Sequence, residues 1–354
     1  MSKQETILLT GFPGFIANRL VRTLADSGHR LLLLVQPSLV ERAHEYLRRL
    51  TGASEPYSDK FRIIIGDITL EDLGLSKFDF AIAREETTSI FHLAAIYDLA
   101  VKRDVAMKIN VQGTKNINRF AVRLPLLRKF NYVSTCYVAG KRTGLILEDE
   151  LEHESGFKNF YEESKYLAEV EVKKLKRELP VTIFRPSVVV GDSQTGETLK
   201  YDGIYYLINY LRKFPSFLSK INIGNDLVRL NIVPVDFVVE AMSMLSIDER
   251  AVGETLHIAD PQPLTTHDLF DEIAKVLSAA PSKITIPRSL VKHGLGLSIS
   301  PRVTGLPVSA APYFFIDQTY SIKQCATLLA THQFNCPSFN SYIRNLIDFV
   351  VRNS

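Results

Sequence analysis

The stretch that decides the fold is residues 7–17, Ile7-Leu8-Leu9-Thr10-Gly11-Phe12-Pro13-Gly14-Phe15-Ile16-Ala17. Its apolar start predicts a buried strand, and the amphipathic pattern that begins at Phe15 predicts a helix. Between them, Gly11 allows a tight turn, Gly14 lets the backbone approach a pyrophosphate, and Ala17 lets helix and strand pack closely. The free N–H groups and positive dipole end of a helix N-terminus favour phosphate. The stretch therefore predicts a dinucleotide-binding loop.

Short apolar runs alternate with longer amphipathic segments through the first half of the chain. The predicted strands are residues 7–9, 31–35, 61–65, 89–93, 131–134 and 181–184. Apolar runs with little alternation, separated by helices, are typical of a parallel sheet covered on both faces. Because parallel crossovers are right-handed, the expected fold class is α/β, a Rossmann doubly wound parallel sheet.

The second half of the chain is less regular, which predicts a smaller, mainly C-terminal substrate-binding lobe. Helices are predicted at residues 237–245 and from Thr265 or Thr266 to 277, with a late strand at 254–259. The predicted division assigns residues 1–191 and about 232–262 to the Rossmann core. The lobe then comprises about 192–231 and 263–354.

Composition excludes several classes of protein. The chain has 354 residues, 46% hydrophobic and 23% charged, with a net charge of +3, which indicates a globular protein. It has no concentrated basic run of the kind that binds nucleic acid. The three cysteines lack metal-ligand spacing, so neither a disulfide framework nor a metal site is expected. Since no apolar run reaches the roughly 18 residues of a membrane span and no signal peptide is evident, a cytoplasmic location is expected.

The residue after the second predicted strand bears on the choice of coenzyme. An acidic side chain there would bind the ribose 2′-hydroxyl and repel a 2′-phosphate, but this chain has Gln36. The absence of an acidic residue at this position favours NADPH, with Arg19, Ser38 and Arg42 as candidate contacts for its 2′-phosphate. A neutral glutamine also serves NADH, so that coenzyme stays open.

Two Tyr-x-x-x-Lys patterns are candidates for a proton donor. A reductase that hands hydride to a carbonyl must protonate the developing alkoxide, and a tyrosine can do so if its pKa falls. A lysine one helical turn away stabilises the phenolate. Gly140 interrupts the pair Tyr137–Lys141, whereas Tyr161–Lys165 opens a strong helical run. The second pair is therefore predicted to be catalytic.

The sequence resembles an extended short-chain dehydrogenase/reductase over most of residues 5–262. The motifs that carry the resemblance are residues 10–17, Gly66-Asp67-Ile68, His92-Leu93-Ala94-Ala95, Asn110-Val111-Gln112-Gly113-Thr114, Val133-Ser134-Thr135, Tyr161-x-x-x-Lys165 and Arg185-Pro186-Ser187. The resemblance implies that Tyr161 is the proton donor and that Lys165 lowers its pKa and binds the nicotinamide ribose. It also implies that Thr135 binds the substrate carbonyl, with Ser134 as the second candidate.

The resemblance further implies a set of cofactor contacts. They are Gly11, Phe12, Pro13, Gly14, Phe15, Ile16, Gln36, Asp67, Ile68, Leu93, Ala94, Ala95, Asn110, Tyr161, Lys165, Pro186, Ser187 and Val188. Within this set Asn110 is expected to organise the central helix rather than to take part in the chemistry. His92 is expected at a strand end near the cofactor, without a role as general base.

The chain is most similar to the branch of fatty acyl-CoA reductases and thioester reductases. The similarity lies in Phe15-Ile16, in residues 132–138 and 184–193, and in the tail, where Asn335-Cys336-Pro337 precedes Tyr342 and a final amphipathic helix. That branch reduces acyl thioesters on coenzyme A or a carrier protein with NADPH, to an aldehyde and sometimes to an alcohol. Alternatives that stay open are a ketoreductase or 3β-hydroxysteroid-type dehydrogenase, a nucleotide-sugar epimerase or dehydratase, and, from another class, a non-catalytic dinucleotide sensor. The oligomeric state, monomer or homodimer, is also open.

The substrate side is the least defined by the sequence. Apolar residues of the segment 201–214 either line a pocket for an acyl chain or form a packed helix of the lobe. Four cations of this region are candidates for contact with the phosphates of a carrier, or are solvated surface residues: Lys200, Arg212, Lys213 and Lys220.

Overall fold

The computed structural model describes residues 4–52, 59–213, 221–278, 282, 284–286, 289–290 and 311–353. The strands are β1 (Thr6–Thr10), β2 (Arg30–Val35), β3 (Phe61–Ile65), β4 (Ser89–His92), β5 (Lys129–Val133), β6 (Gly144–Ile146), β7 (Val181–Pro186), β8 (Val188–Val190), β9 (Ile221–Asn222), β10 (Ile232–Pro234), β11 (Thr255–Ile258), β12 (Ile284–Thr285) and β13 (Gln318–Tyr320). The helices are α1 (Phe15–Asp26), α2 (Val40–Thr51), α3 (Lys77–Glu86), α4 (Arg103–Ala106), α5 (Gly113–Val122), α6 (Phe160–Lys173), α7 (Ile204–Lys213), α8 (Val235–Ile247), α9 (Thr266–Ser278), α10 (Lys323–Ala330) and α11 (Phe339–Arg352).

Seven strands form one parallel sheet in the order β11-β7-β5-β4-β1-β2-β3. Strand β1 has β2 on one side and β4 on the other, so the direction in which strands are added reverses there. Ligands of open α/β sheets bind in the crevice at the carboxyl ends of the strands flanking such a point. The predicted doubly wound α/β fold is confirmed, and the glycine loop at residues 11–14 lies at this crevice.

Helices cover both faces of the sheet, which explains why most of the strand residues are apolar. On one face, α1, α2, α8 and α10 pack in a single hydrophobic cluster, with Leu20 and Leu47 fully buried. On the other face, α3, α5 and α6 form a second cluster around residues such as Phe120 and Ala168. The six predicted strands all form, and the ends of each lie within two residues of the prediction.

A third hydrophobic cluster lies outside the main sheet and joins α7, α9 and α11. The side chains of α7 that bear on the acyl-pocket alternative are buried in this cluster: Ile204, Tyr205, Leu207, Ile208 and Leu211. The structure thus shows a packed helix in place of a pocket wall, because the apolar stripe of α7 is covered by neighbouring helices. Phe214, also part of that alternative, lies outside the described residues. The division into core and lobe stays a prediction.

One helix of the core departs from regular α geometry. Helices α4 and α5 are joined by a π-helical segment, Met107–Gln112, into one continuous helical run. Short π segments inside α-helices occur frequently at functional sites. In the part of the chain that the structure describes, none of the helices combines the length and hydropathy that crossing a membrane requires.

Candidate active site

The glycine loop is shaped for a close backbone approach. Gly11 has φ +93°, and a Cβ built there would lie 2.8 Å from the backbone nitrogen of Ala94. A Cβ on Gly14 would lie 2.6 Å from the carbonyl oxygen of Gly11. Gly14 also directly precedes α1, whose N-terminus has no side-chain cap, so its first N–H groups remain available to phosphate oxygens. These residues fit the pyrophosphate of a dinucleotide.

The end of β4 is tied to this loop through a buried histidine. Thr10 Oγ1 accepts a hydrogen bond from the Ala94 backbone N–H at 3.1 Å and lies 2.8 Å from His92 Nδ1. The other ring nitrogen, Nε2, lies 3.0 Å from Thr114 Oγ1. Burial, with a further contribution from the Lys165 charge, lowers the pKa of His92 to about 3. Both ring nitrogens of His92 are hydrogen-bonded to threonines, which links the loop to its neighbours. An imidazole with so low a pKa and no free nitrogen is unsuited to act as a general base.

Helix α6 brings Tyr161 and Lys165 to the cleft, one turn apart on the same face. Asn159 caps its N-terminus by accepting a hydrogen bond from a first-turn N–H. Tyr161 is 6% exposed and Lys165 is 3% exposed. The Lys165 ammonium donates hydrogen bonds to the Tyr132 hydroxyl at 3.0 Å and to the Val133 carbonyl at 2.8 Å. The lysine is therefore anchored to β5 beneath the tyrosine.

Burial shifts the pKa of both members of the pair. Burial raises the pKa of Tyr161 above its ordinary value, although a hydrogen bond with the Thr135 side chain opposes the shift. Burial also lowers the pKa of Lys165 to about 7, against the opposing carboxylate of Glu169. Desolvation is the largest influence on the Tyr161 pKa, and the lowering of that pKa by Lys165 stays a prediction. A protonated phenol at neutral pH is the form that a proton donor requires.

The two candidates for binding the carbonyl have different surroundings. Thr135 contacts Tyr161, whereas the Ser134 hydroxyl donates a hydrogen bond of 2.5 Å to Glu169. Glu169 in turn pairs with the guanidinium of Arg185, and both side chains are 1% exposed. The structure therefore places Thr135 beside Tyr161 and Ser134 in a buried ionic network that joins α6 to β5 and β7.

Asn110 lies in the π-helical segment and is only 1% exposed. Its Oδ1 accepts a hydrogen bond from the Ile96 backbone N–H at 2.8 Å, and its Nδ2 donates to Ser164 Oγ at 2.9 Å. Ser164 Oγ donates in turn to the Tyr161 carbonyl at 2.9 Å. Asn110 is therefore saturated by protein partners, which fits the predicted organising role and argues against direct contact with a cofactor.

Most of the predicted contacts surround one cleft of about 260 Å³. The predicted residues that line it are Gly11, Gly14, Phe15, Ile16, Leu93, Ala95, Ser134, Thr135, Tyr161, Lys165, Pro186, Ser187 and Val188. Phe12 does not face this cleft, because it is 2% exposed and packs edge-on against Tyr46. Ile68 is likewise buried, and its side chain packs against the backbone of Gly113.

Gln36 and Asp67 meet at the carboxyl ends of β2 and β3, where an adenosine would lie. Gln36 Nε2 donates a hydrogen bond to Asp67 Oδ2 at 3.1 Å. Burial raises the pKa of Asp67, but hydrogen bonds from Thr69 and Gln36 outweigh it and leave the pKa below its usual value. Gln36 is thus positioned beside an ionised carboxylate that the sequence pattern alone did not pair with it.

The candidate phosphate contacts separate into one engaged and one available arginine. Arg19 pairs with Asp192 at 2.7 Å and with Glu197 at 3.1 Å. Arg42 is exposed and lines a second cavity, shared with Pro13, between α1, α2 and residues 197–199. The carboxylates compete with a phosphate for Arg19, so Arg42 is the better placed of the two.

Three cleft residues lie outside the predicted set of site residues: Tyr97 and Asp202 were not predicted, and Lys200 was predicted only as a candidate contact for the phosphates of a carrier. The Tyr97 ring packs edge-on against the Tyr161 ring, with centroids 5.0 Å apart. The Lys200 ammonium lies 4.0 Å from the centroid of the Tyr97 ring, and Asp202 also lines the cleft. No local motif marks these positions, because they reach the site through loops that follow β4 and β8.

The chain matches the NAD-binding family described as male sterility protein over residues 9–242. It therefore belongs to this family. It is 28% identical over 287 residues to the non-canonical nonribosomal peptide synthetase FrzA of Cladobotryum sp, covering 76% of this chain and 27% of that protein. It is 25% identical over 276 residues to the fatty acyl-CoA reductase wat of Drosophila melanogaster, covering 68% and 53%.

Among solved structures, the terminal R domain from the myxalamid PKS-NRPS biosynthetic pathway superposes with a TM-score of 0.84 at 26% identity, covering 100% of this chain and 92% of that one. The predicted resemblance to extended short-chain dehydrogenases/reductases, and to their fatty acyl-CoA and thioester reductase branch, is confirmed. The predicted class of nicotinamide-dependent oxidoreductase is confirmed at the level of family membership. The chain spans about a quarter to a half of the length of the two curated relatives.

Proposed function

We propose that this protein reduces the carbonyl of an acyl thioester, carried by coenzyme A or an acyl carrier protein, to an aldehyde. The observation that carries this proposal is the pairing of Tyr161 with Thr135 in the same cleft as the glycine loop. Membership of a family with a fatty acyl-CoA reductase among its relatives supports the thioester as substrate, and the relative among peptide synthetases supports a carrier-bound form.

Different residues of the cleft bind the carbonyl, transfer the proton and bind the coenzyme. A nicotinamide held in the cleft would supply the hydride. The hydroxyls of Thr135 and Tyr161 bind the carbonyl oxygen, and Tyr161 transfers its proton as negative charge develops there. The ammonium of Lys165, anchored by Val133, stabilises the phenolate that remains. Gly11 and the N-terminus of α1 would hold the pyrophosphate.

The proposed coenzyme is NADPH. Gln36 does not place a carboxylate directly on the ribose 2′-hydroxyl, and Arg42 is exposed beside the cavity at the start of α2. An arginine gives bidentate hydrogen bonds to a phosphate, so it can hold the 2′-phosphate that NADH lacks. Arg19 pairs with Asp192 and Glu197, so we assign it the structural role of holding the loop that follows β8.

The test is loss of nicotinamide absorbance with NADPH, and separately with NADH, against long-chain acyl-CoA and acyl carrier protein. The aldehyde is identified directly, and Tyr161→Phe must slow its formation by about 10³-fold while coenzyme binding survives. Turnover of ketones or steroids without turnover of thioesters would show a ketoreductase instead. Coenzyme binding without turnover of any carbonyl compound would show a dinucleotide sensor.

A further inference from the structure

A second lysine, Lys200, lines the cleft that contains Lys165. Lys200 follows β8 in the chain and precedes α7, and its ammonium lies 4.0 Å from the centroid of the Tyr97 ring. Tyr97 packs edge-on against Tyr161 with centroids 5.0 Å apart. The cation thus sits one aromatic ring away from the proton donor, in the cleft that Thr135 also lines.

Hydrogen bonds with the Thr198 side chain hold the backbone of Lys200, whereas its ammonium lies against the Tyr97 ring. Thr198 Oγ1 donates a hydrogen bond to the Lys200 carbonyl at 2.8 Å and accepts one from the Lys200 N–H at 3.1 Å. Within the described parts of the chain, the Lys200 ammonium makes neither a hydrogen bond nor an ion pair. Lys165 in the same cleft is, by contrast, anchored by Tyr132 and Val133.

The neighbouring carboxylates favour a charged lysine without binding it. Asp202 lines the cleft and accepts a hydrogen bond from the Tyr97 side chain. Burial lowers the pKa of Lys200, while the charges of Asp202 and Asp98 oppose the shift. The result is an ammonium with free N–H groups whose proton is easier to give up than that of a lysine in water.

Reduction of a thioester, the proposed function on which this inference rests, needs two proton transfers where ketone reduction needs one. Hydride addition and protonation by Tyr161 produce a hemithioacetal, R–CH(OH)–SR′. Its collapse breaks the C–S bond with the electron pair on sulfur. An alkyl thiol has a pKa of roughly 8.5, so its thiolate leaves more readily if an acid protonates it.

We propose that Lys200 is the acid that protonates the departing thiolate. As the C–S bond breaks, the sulfur takes a proton from the Lys200 ammonium, and the hemithioacetal hydroxyl gives its proton to the Tyr161 phenolate. The products are an aldehyde and a free thiol. Tyr161 is protonated again by this step, and Lys200 regains its proton from solvent.

The test is a leaving-group series in wild type and Lys200→Met. The substrates share one acyl chain on coenzyme A, on N-acetylcysteamine, which has no phosphate, and on thiophenol, whose thiolate is a much weaker base. The variant is expected to lose about 100-fold in kcat on both alkyl thioesters, the lower end of the range for a general acid. It is expected to reduce the thiophenyl ester at nearly the wild-type rate.

Two further variants separate an acid from a charge. Lys200→Arg keeps the positive charge, but a guanidinium does not give up its proton, so it is expected to be as slow as Lys200→Met on alkyl thioesters. Lys102→Met, the loss of an exposed lysine, is the control for general effects of charge removal. NADPH binding by each variant checks that the fold is intact.

Each remaining outcome counts against a stated idea. A defect of Lys200→Met confined to acyl-CoA would show that the lysine binds phosphate. Equal losses on all three leaving groups, no loss, or rescue by Lys200→Arg would each overturn the acid role while the proposed function stands. A wild-type protein that turns over none of the thioesters would defeat the proposed function itself, and this inference with it.

Discussion

The chain contains the same five-residue pattern twice, at Tyr137–Lys141 and at Tyr161–Lys165, and the structure uses the two in different ways. Tyr161 and Lys165 lie on α6 and are both buried. Tyr137 lies on a short 3-10 turn, Cys136–Ala139, and the turn ends at Gly140 with φ +61°. Lys141 points to solvent.

The difference shows that a Tyr-x-x-x-Lys spacing brings the two side chains together only where both residues lie on one continuous helix. Residues four apart share a face when the helix continues through both, as it does in α6. The helical geometry ends at Gly140, before it reaches Lys141, and the Tyr137 ring packs instead against Tyr313, with centroids 4.5 Å apart. Tyr137 still borders the cleft, so it can shape the site without a lysine partner.

The largest expected effect is that of Tyr161→Phe. Removal of the hydroxyl takes away the proposed proton donor, so kcat should fall by about 10³-fold, within the range for general acid catalysis. Coenzyme affinity, measured by fluorescence titration, should stay close to that of wild type. The matched variant Tyr137→Phe should change KM more than kcat. Similar losses of kcat in both variants would remove the distinction between the two pairs.

Lys165→Met is expected to lower kcat by about 10²-fold, because the phenolate loses its nearby cation. In wild type the Lys165 pKa of about 7 means that the ammonium is lost as pH rises through neutrality. The value of kcat/KM should therefore fall above about pH 7, and the variant should lack this limb of the profile. Steady-state rates from pH 5 to 9 in both proteins provide the measurement.

Lys141→Met is the control for that experiment, since the lysine is exposed. It should leave both the rate and the pH profile unchanged. Folding is not expected to limit Lys165→Met, because the substitution removes the cost of burying an ammonium group. A thermal melting temperature at or above that of wild type would support this, whereas a marked decrease would assign the lost activity to unfolding.

Thr135→Val should lower kcat by roughly tenfold to hundredfold, because the carbonyl oxygen and Tyr161 lose a hydroxyl partner. Ser134→Ala should instead lower the free energy of unfolding by about 1 kcal/mol, because Glu169 loses one hydrogen bond but keeps Arg185. Steady-state kinetics and urea denaturation of both variants separate the roles. The opposite result would make Ser134 the residue that contacts substrate.

The smallest expected effect is on the choice of coenzyme. Arg42→Ala should raise the KM for NADPH about tenfold and leave the KM for NADH unchanged, because only NADPH carries the 2′-phosphate. Arg48, on the same helix, pairs with Glu41. Arg48→Ala should change neither the KM for NADPH nor the KM for NADH. Equal changes for both coenzymes in Arg42→Ala would exclude a contact with the 2′-phosphate.

Much of the fold could be read from local pattern. The apolar strands of the core and helix α1 follow from periodicity, and the glycine loop from residues within one turn of each other. The preference for Tyr161 over Tyr137 follows from a single glycine. The acyl-pocket alternative for α7 could not be decided in this way, because an apolar stripe looks the same whether a ligand or another helix covers it.

What the sequence by itself determined is the doubly wound sheet, the dinucleotide loop and the order of motifs that leads to Tyr161 and Lys165. These depend on neighbours a few residues away along the chain. Only the tertiary structure decided that burial raises the Tyr161 pKa, that Tyr97 packs against Tyr161, and that Lys200 lies against the Tyr97 ring. Desolvation depends on every group packed nearby, and residues that lie far apart along the chain leave no local pattern that reports their proximity.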